Sequence, residues 1–374
     1  MEKTSREQRI VIWIFLLAVL FSFFILNRWI FTPLGAPSFG RVWHFYVSYS
    51  DFGFIRRGFV GTIFSITDLN KIFDDEYIFA YIVHHFAIIL ISVLVFNYVY
   101  KNNILDHIFI FGAFFSPAFL PHLGYNTGSL DVFLIVIIIV NIMYSRSLVQ
   151  FCFLIAIGCM THELFAFTIP AQILAFHFRG KTEGNFHIWL PAFVGLGVMA
   201  FLLLRGQISL PQDEVELILR EKMPNAAGRH SLWSGYKELS LSLEQNFSHS
   251  IDLMSSITWI DLPIVILPLI YCFILVVRTV TLAPNHSNTM MLIFALTAPL
   301  FASVIASDFY RWISISCLLS ILISIIFFRK GVKRESKIDL VIAFFCILAP
   351  FGTTGIDRPF PMHQFAIEQV ISAR

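Results

Sequence analysis

The side chains of this chain that could do chemistry fall into four short groups. The first is Tyr49-Ser50-Asp51-Phe52-Gly53-Phe54-Ile55-Arg56-Arg57-Gly58, one acid and two adjacent arginines among aromatic residues. The second surrounds Pro121-His122-Leu123-Gly124-Tyr125-Asn126, with Asp131 just beyond. The third is His162-Glu163, and the fourth is Asp308-Phe309-Tyr310-Arg311. Charge placed beside apolar surface is unfavourable unless it is paired, hydrated or used. Acid, arginine and histidine together suit transfer from a phosphate-activated donor. Arginines stabilise charge on the leaving phosphate, and a carboxylate takes the proton of the attacking hydroxyl. On this reading Asp51 is the general base, with Glu163 as the alternative. Arg56, Arg57 and Arg311 bind phosphate. His122, Asn126, Asp131, His162 and Asp308 complete the binding set, and Tyr49 and Phe52 are placed to stack on sugar rings.

Each group also has a plainer explanation. Arg56 and Arg57 would sit equally well among lipid headgroups. Asp308 and Arg311 stand three apart and could pair across one helical turn. Asp131 could cap a helix beginning near Ser129. Some chemistry is excluded outright. His162-Glu163 lacks the second histidine of HExxH, and no Walker A, GxGxxG or GxSxG sequence occurs. No nucleotide or zinc site is therefore expected and no cofactor is called for, although acids beside a phosphate could hold Mg²⁺.

The elements that must position these groups are membrane helices. The 374 residues are 57% hydrophobic and 16% aromatic, and only 13% are charged. The mean hydropathy is +0.77. Soluble domains are roughly 45–50% apolar, and the apolar runs do not alternate as barrel strands do. An all-α, polytopic helix bundle in one integral-membrane domain follows. The formal net charge of +2 gives no sign of a nucleic-acid partner. Cys152, Cys159, Cys272, Cys317 and Cys346 all lie in apolar runs, without metal-ligand spacing, and read as small hydrophobes. The basic start before the first apolar run resembles a signal peptide, but the run is long and no small-residue cleavage site follows. It is expected to stay as the first helix.

Apolar runs fall at 10–30, 78–99, 104–121, 129–144, 147–161, 164–178, 187–204, 258–277, 289–306, 309–328 and 338–353. The pair 147–161 and 164–178 would be roughly 48 Å long as one helix, against a hydrocarbon core of about 30 Å. A hairpin with Thr161-His162-Glu163 at its tip is expected instead. About eleven spans then result, with the N-terminus inside and the C-terminus outside. Lys101, Arg146, Arg179, Lys181, Arg278 and the cluster Arg329, Lys330, Lys333, Arg334 and Lys337 fall on the inner connections, as the positive-inside rule asks. The reactive groups, together with Asp357, Arg358 and His363 of the tail, gather on the outer face, which implies a water-filled cavity open to that side. Two outer segments are long, 31–77 and 206–257. In the second, Asp213 to Lys222 is amphipathic through Val215, Leu217, Ile218 and Leu219. Leu232 to Met254 also has helical spacing. Helices on the membrane surface are expected there. His84-His85, inside the second span, reads as core.

An acid in the first outer loop just after the first span, an inside N-terminus and surface helices together resemble the GT-C glycosyltransferase superfamily. In that family the first-loop acid is the usual base, and Asp51 alone matches it in position. The paired acidic motif common in the family is absent, and Asp74-Asp75-Glu76 lies just before the second span. The runs Asp51-Phe-Gly-Phe-Ile-Arg-Arg-Gly, Ser116-Pro117-Ala118, His162-Glu163 and Asp308-Phe-Tyr-Arg-Trp312 are also similar to those of bacterial membrane proteins encoded in surface-polysaccharide gene clusters. The resemblance implies a multi-pass protein of the bacterial inner membrane. It would transfer sugar from a polyprenyl-phosphate-linked donor to a glycan acceptor at the periplasmic face, in O-antigen or capsule assembly. Two alternatives stay open. A Wzy-type O-antigen polymerase also uses arginines in its outer loops, and Arg220 and Arg229 fit that idea. A transporter or flippase would use the same cavity for passage, but the internal repeats common in transporters are not seen.

Overall fold

The computed structural model describes residues 6–26, 42–104, 106–180, 186–227, 239–240, 242–255, 259, 262–283, 288–306, 308–329, 336–352 and 360–372. Among these residues the chain is helical throughout and has no strand. The first half comprises α1 (Arg6–Leu26), α2 (Tyr49–Phe52), α3 (Gly58–Ile66), α4 (Glu76–Lys101), α5 (His107–Phe115), α6 (Leu120–Tyr125), α7 (Asp131–Ile139), α8 (Leu148–Thr161) and α9 (Ile169–Phe178). The second half comprises α10 (Phe186–Arg205), α11 (Gln212–Lys222), α12 (Pro224–Ala227), α13 (Leu243–Ser255), α14 (Leu262–Leu282), α15 (Thr289–Thr297), α16 (Phe309–Arg329), α17 (Lys337–Phe345) and α18 (Pro361–Ser372).

Among the described residues five helices are long and apolar enough to cross a membrane: Arg6–Ile25, Glu76–Lys101, His107–Tyr125, Val265–Leu282 and Phe309–Arg329. Five shorter apolar helices accompany them, at Asp131–Tyr144, Leu148–Thr161, Glu163–Phe178, Trp189–Arg205 and Thr289–Val304. These are the helices of a multi-pass membrane protein. The run 338–353 does not supply the eleventh expected span. Its helix stops at Phe345, roughly 13 Å at 1.5 Å per residue. The residue before Pro350 is disfavoured in a helix, and Phe351 instead donates its backbone N–H to the Pro117 carbonyl at 3.3 Å.

The bundle is built around α16, which is buried from Tyr310 to Phe328. Small polar residues let α14 lie close along it. The Thr279 hydroxyl bonds to the Ser320 carbonyl at 3.0 Å and to the Ser324 hydroxyl at 2.9 Å. The hairpin read from the sequence is present. His162 is extended (φ −157°, ψ 125°) between α8 and the 3-10 turn Glu163–Thr168. Phe151 near the start of α8 packs on Phe176 near the end of α9, ring centroids 4.6 Å apart, so the two helices run back to back.

The two ends of α16 differ in chemistry. At its last turn Arg329 donates to the Tyr98 hydroxyl at 3.4 Å. Near that end Arg278 forms a closed, bidentate pair with Asp339, at 2.6 and 2.7 Å. At its first turn lies the acid, arginine and histidine group described below. Arg278 and Arg329 thus lie at the opposite end of α16 from the reactive groups; Lys181, Lys330, Lys333 and Arg334 lie outside the described residues.

Between α1 and α4 the chain folds into a cap with its own apolar core of Val42, Trp43, Phe45, Val47, Phe52, Ile55, Val60 and Phe64. Phe45, Phe64 and Phe79 meet edge to face, at 5.2–6.2 Å between centroids. Val215 and Leu219 of α11 are buried in this core. Their apolar face is therefore turned into protein, where the sequence suggested a membrane surface; Leu217 remains 67% exposed. Arg229, Asp357, Arg358 and much of 226–238 lie outside the described residues. Gly61 is where α3 passes closest to Val47, in the turn after the 3-10 helix Val42–Phe45. A Cβ there would stand 2.0 Å from the Val47 carbonyl oxygen. Gly61→Ala is expected to destabilise the protein by about 1–3 kcal/mol, read as a lower melting temperature in detergent.

Candidate functional site

Asp131, Glu163, Arg57, Asp308 and Arg311 come from four separate stretches of chain and converge at the first turn of α16. The Arg57 backbone is left-handed (φ 64°, ψ 3°), a conformation that costs about 1–2 kcal/mol for a residue with a Cβ. Its guanidinium Nη2 donates to Glu163 Oε1 at 2.8 Å, and its Nε lies 3.2 Å from both carboxylate oxygens. The neighbouring Arg56 is fixed through its backbone, whose N–H donates to the Gly206 carbonyl at 2.8 Å just past the end of α10.

A second assembly lies behind this pair. Arg311 Nε donates to Asp131 Oδ1 at 2.6 Å, and Arg311 Nη1 donates to Asp308 Oδ2 at 2.9 Å. Asn126 Nδ2 donates to the other Asp131 oxygen at 2.9 Å. Asp308 and Arg311 do pair across a helical turn, and Asp131 adds a third partner. Asp131 is the first residue of α7 and not its cap, which is Leu130; the Ser129 hydroxyl accepts the Asp131 backbone N–H at 3.2 Å.

His162 stands between the two assemblies. Its Nδ1 accepts the Leu164 backbone N–H at 3.2 Å and lies 3.4 Å from Glu163 Oε2. Burial holds the imidazole well below its ordinary value, partly opposed by Glu163 and reinforced by Arg57 and Arg311. It is a neutral ring, packed edge to face on Trp312 with centroids 6.1 Å apart. Burial alone would raise the Glu163 carboxyl, but the Arg57 guanidinium holds it well below the usual carboxylate range. Glu163 is therefore ionised at neutral pH.

A cavity of about 410 Å³ opens onto the first assembly, lined by Arg56, Arg57, Glu163 and Asp308, by Glu244 of α13, and by Leu202 and Leu203 of α10. Leu203 is 44% exposed, so the apolar wall continues onto the outside of the bundle. Cationic, acidic and aliphatic surfaces thus meet in one concavity.

Not every residue singled out from the sequence reaches this cavity. Asp51 accepts from Lys222 of α11 and from the Ser48 hydroxyl, and it does not line the cavity. Phe52 is buried in the cap core at 5% exposure, so it is closed to a sugar ring, and Tyr49 packs on Phe54 at 5.2 Å. Burial pushes the Tyr49 phenol up to about 12, so it stays neutral. His122 is buried and bonds through Nδ1 to the Phe351 carbonyl at 3.2 Å, tying down the chain after α17. His84 is core as expected: it bridges the Leu123 carbonyl at 2.8 Å and the Gly128 N–H at 3.4 Å. His363 lies exposed on α18. Among the described residues no group of three or more His, Cys, Asp or Glu has metal-site geometry.

Sequence reasoning missed Lys222, Gly206 and Trp312. Lys222 was visible only as the end of an amphipathic helix, and nothing local marks Gly206 as the stop on which Arg56 rests. Comparisons with protein-family models, curated proteins and solved structures gave no match, so the functional reading stands on this geometry.

Proposed function

We propose that the chain is a membrane glycosyltransferase that takes a sugar from a polyprenyl-phosphate carrier. The observation that carries this reading is the cavity lining, which brings the adjacent Arg56 and Arg57, the carboxylates Glu163, Asp308 and Glu244 and the aliphatic Leu202 and Leu203 together at one end of a helix bundle. Such a surface suits an amphiphile with a phosphate head and an apolar tail. Arg56 and Arg57 bind the phosphate. Glu163 takes the base role, because it lines the cavity and is ionised, whereas Asp51 tethers α11 to the cap. In the step, the bond from the sugar's anomeric carbon to the phosphate oxygen breaks, and the phosphate leaves with the electron pair. The acceptor oxygen bonds to that carbon, and its proton passes to the Glu163 carboxylate. The basic end of the bundle faces the cytoplasm and the cavity faces outward, in the inner membrane of a bacterium.

The test is deletion of the gene in its host, followed by gel and mass analysis of the surface polysaccharide. The expected result is an intact ladder whose repeat unit lacks one sugar. Collapse to a single repeat would assign polymerisation instead. An unchanged glycan overturns the reading and leaves passage of an anionic amphiphile through the same cavity.

A further inference from the structure

Among the described residues three arginine and carboxylate assemblies lie within the bundle, and they are not equally closed. Arg278 and Asp339 are 2% and 3% exposed, and Arg311 and Asp131 are 5% and 2%. Arg57 and Glu163 are 12% and 11% exposed, and both line the cavity. Arg311 is held by two carboxylates at once. Glu163 holds Arg57 through both Nε and Nη2. The left-handed backbone at Arg57 aims that guanidinium at the carboxylate and into the cavity together.

We propose that Arg57 is an exchange residue, held by Glu163 when the cavity is empty and transferred to the phosphate of the entering donor, which unmasks the Glu163 carboxylate as base. This rests on the donor being a phosphate-bearing amphiphile, as inferred above. A carboxylate engaged by two guanidinium N–H groups is a poor proton acceptor. The phosphodiester of such a donor carries one negative charge, as the carboxylate does, presents the same bidentate edge to arginine, and gains charge as the sugar leaves. The exchange replaces one charge-assisted pair by another, so neither state leaves a guanidinium buried without a counter-charge. Arg56, close enough to Glu163 to help hold its charge, keeps the region cationic while Arg57 changes partner. Proton removal is thereby tied to donor binding, and an acceptor arriving first meets a masked base.

The exchange makes an uncommon demand: removing the base must tighten the donor site. The experiment uses the full chain purified in detergent and titrated by calorimetry with farnesyl phosphate, with farnesol as the uncharged control. Wild type is expected to bind farnesyl phosphate and not farnesol. Glu163→Gln, which leaves Arg57 without its carboxylate, is expected to bind farnesyl phosphate at least about tenfold more tightly. Glu163→Asp, with its shorter reach, is expected to show a smaller gain in the same direction, and it keeps the test alive should the glutamine variant fold poorly. Adding Arg57→Gln to Glu163→Gln should abolish the gain. Affinity unchanged or weakened in both Glu163 variants overturns the exchange and leaves the phosphate reading intact. No binding of farnesyl phosphate to wild type or to either variant overturns both.

Discussion

Arg311→Met is expected to destabilise the protein by about 3–5 kcal/mol, because it leaves Asp131 as a buried carboxylate without its counter-charge. Asp131 is 2% exposed and Arg311 5%, so water cannot replace the lost partner. Asn126 would still hold one Asp131 oxygen, but an amide donor does not neutralise a charge. The expected readout is a melting temperature lowered by many degrees in detergent, with little folded protein recovered from the membrane. A second substitution separates charge from packing. Arg311→Met with Asp131→Leu removes both buried charges, and a buried pair replaced by apolar residues is often close to neutral. The double variant should therefore recover most of the lost stability. A double variant no more stable than Arg311→Met would show that the assembly acts through shape and not through charge compensation.

Glu163→Gln is expected to lower transfer by about 10²–10⁴-fold, the range for losing a general base, while the protein stays folded. Asp51→Asn makes the contrast. Asp51 and Lys222 are about a quarter exposed, at 21% and 27%, and partly exposed ion pairs contribute up to about 1 kcal/mol. Transfer in Asp51→Asn should stay within about fivefold of wild type. Both variants would be assayed side by side in reconstituted vesicles with a prenyl-phosphate sugar donor, with circular dichroism as the check on folding. The reverse pattern, an inactive Asp51→Asn beside an active Glu163→Gln, would return the base role to the first-loop acid.

Much of the fold was legible because hydrophobic length is a local signal. The break at His162 could be read from the length of 147–178 alone, since one helix of that length would overrun a bilayer. The amphipathic stretch before Lys222 is likewise a helix. What was not legible is which surface a helix meets. Val215 and Leu219 look the same in sequence whether they face lipid or a protein cap. Pairings between distant residues were hidden for the same reason: Arg278 finds Asp339 and Lys222 finds Asp51 only after the chain is folded. The site was half visible. Its residue types and their common end of the bundle could be argued from topology. The division of labour between Asp51 and Glu163 could not, because it depends on which acid the cavity reaches.

The burial of α16 bears on how the protein is made. This helix lies late in the chain yet sits at the centre of the bundle, enclosed from Tyr310 to Phe328. Translation delivers the surrounding helices first, so the growing chain must hold a slot open for a member still inside the ribosome. Until that member arrives, Asp131 has no arginine, and α14 has no serine-lined neighbour to lie against. The last fifth of the chain is thus the keystone, and a ribosome stalled before Phe309 would release the earlier helices without their central member. Quality control in the membrane would then meet an Asp131 carboxylate that lacks Arg311 at the place where the finished protein keeps its site.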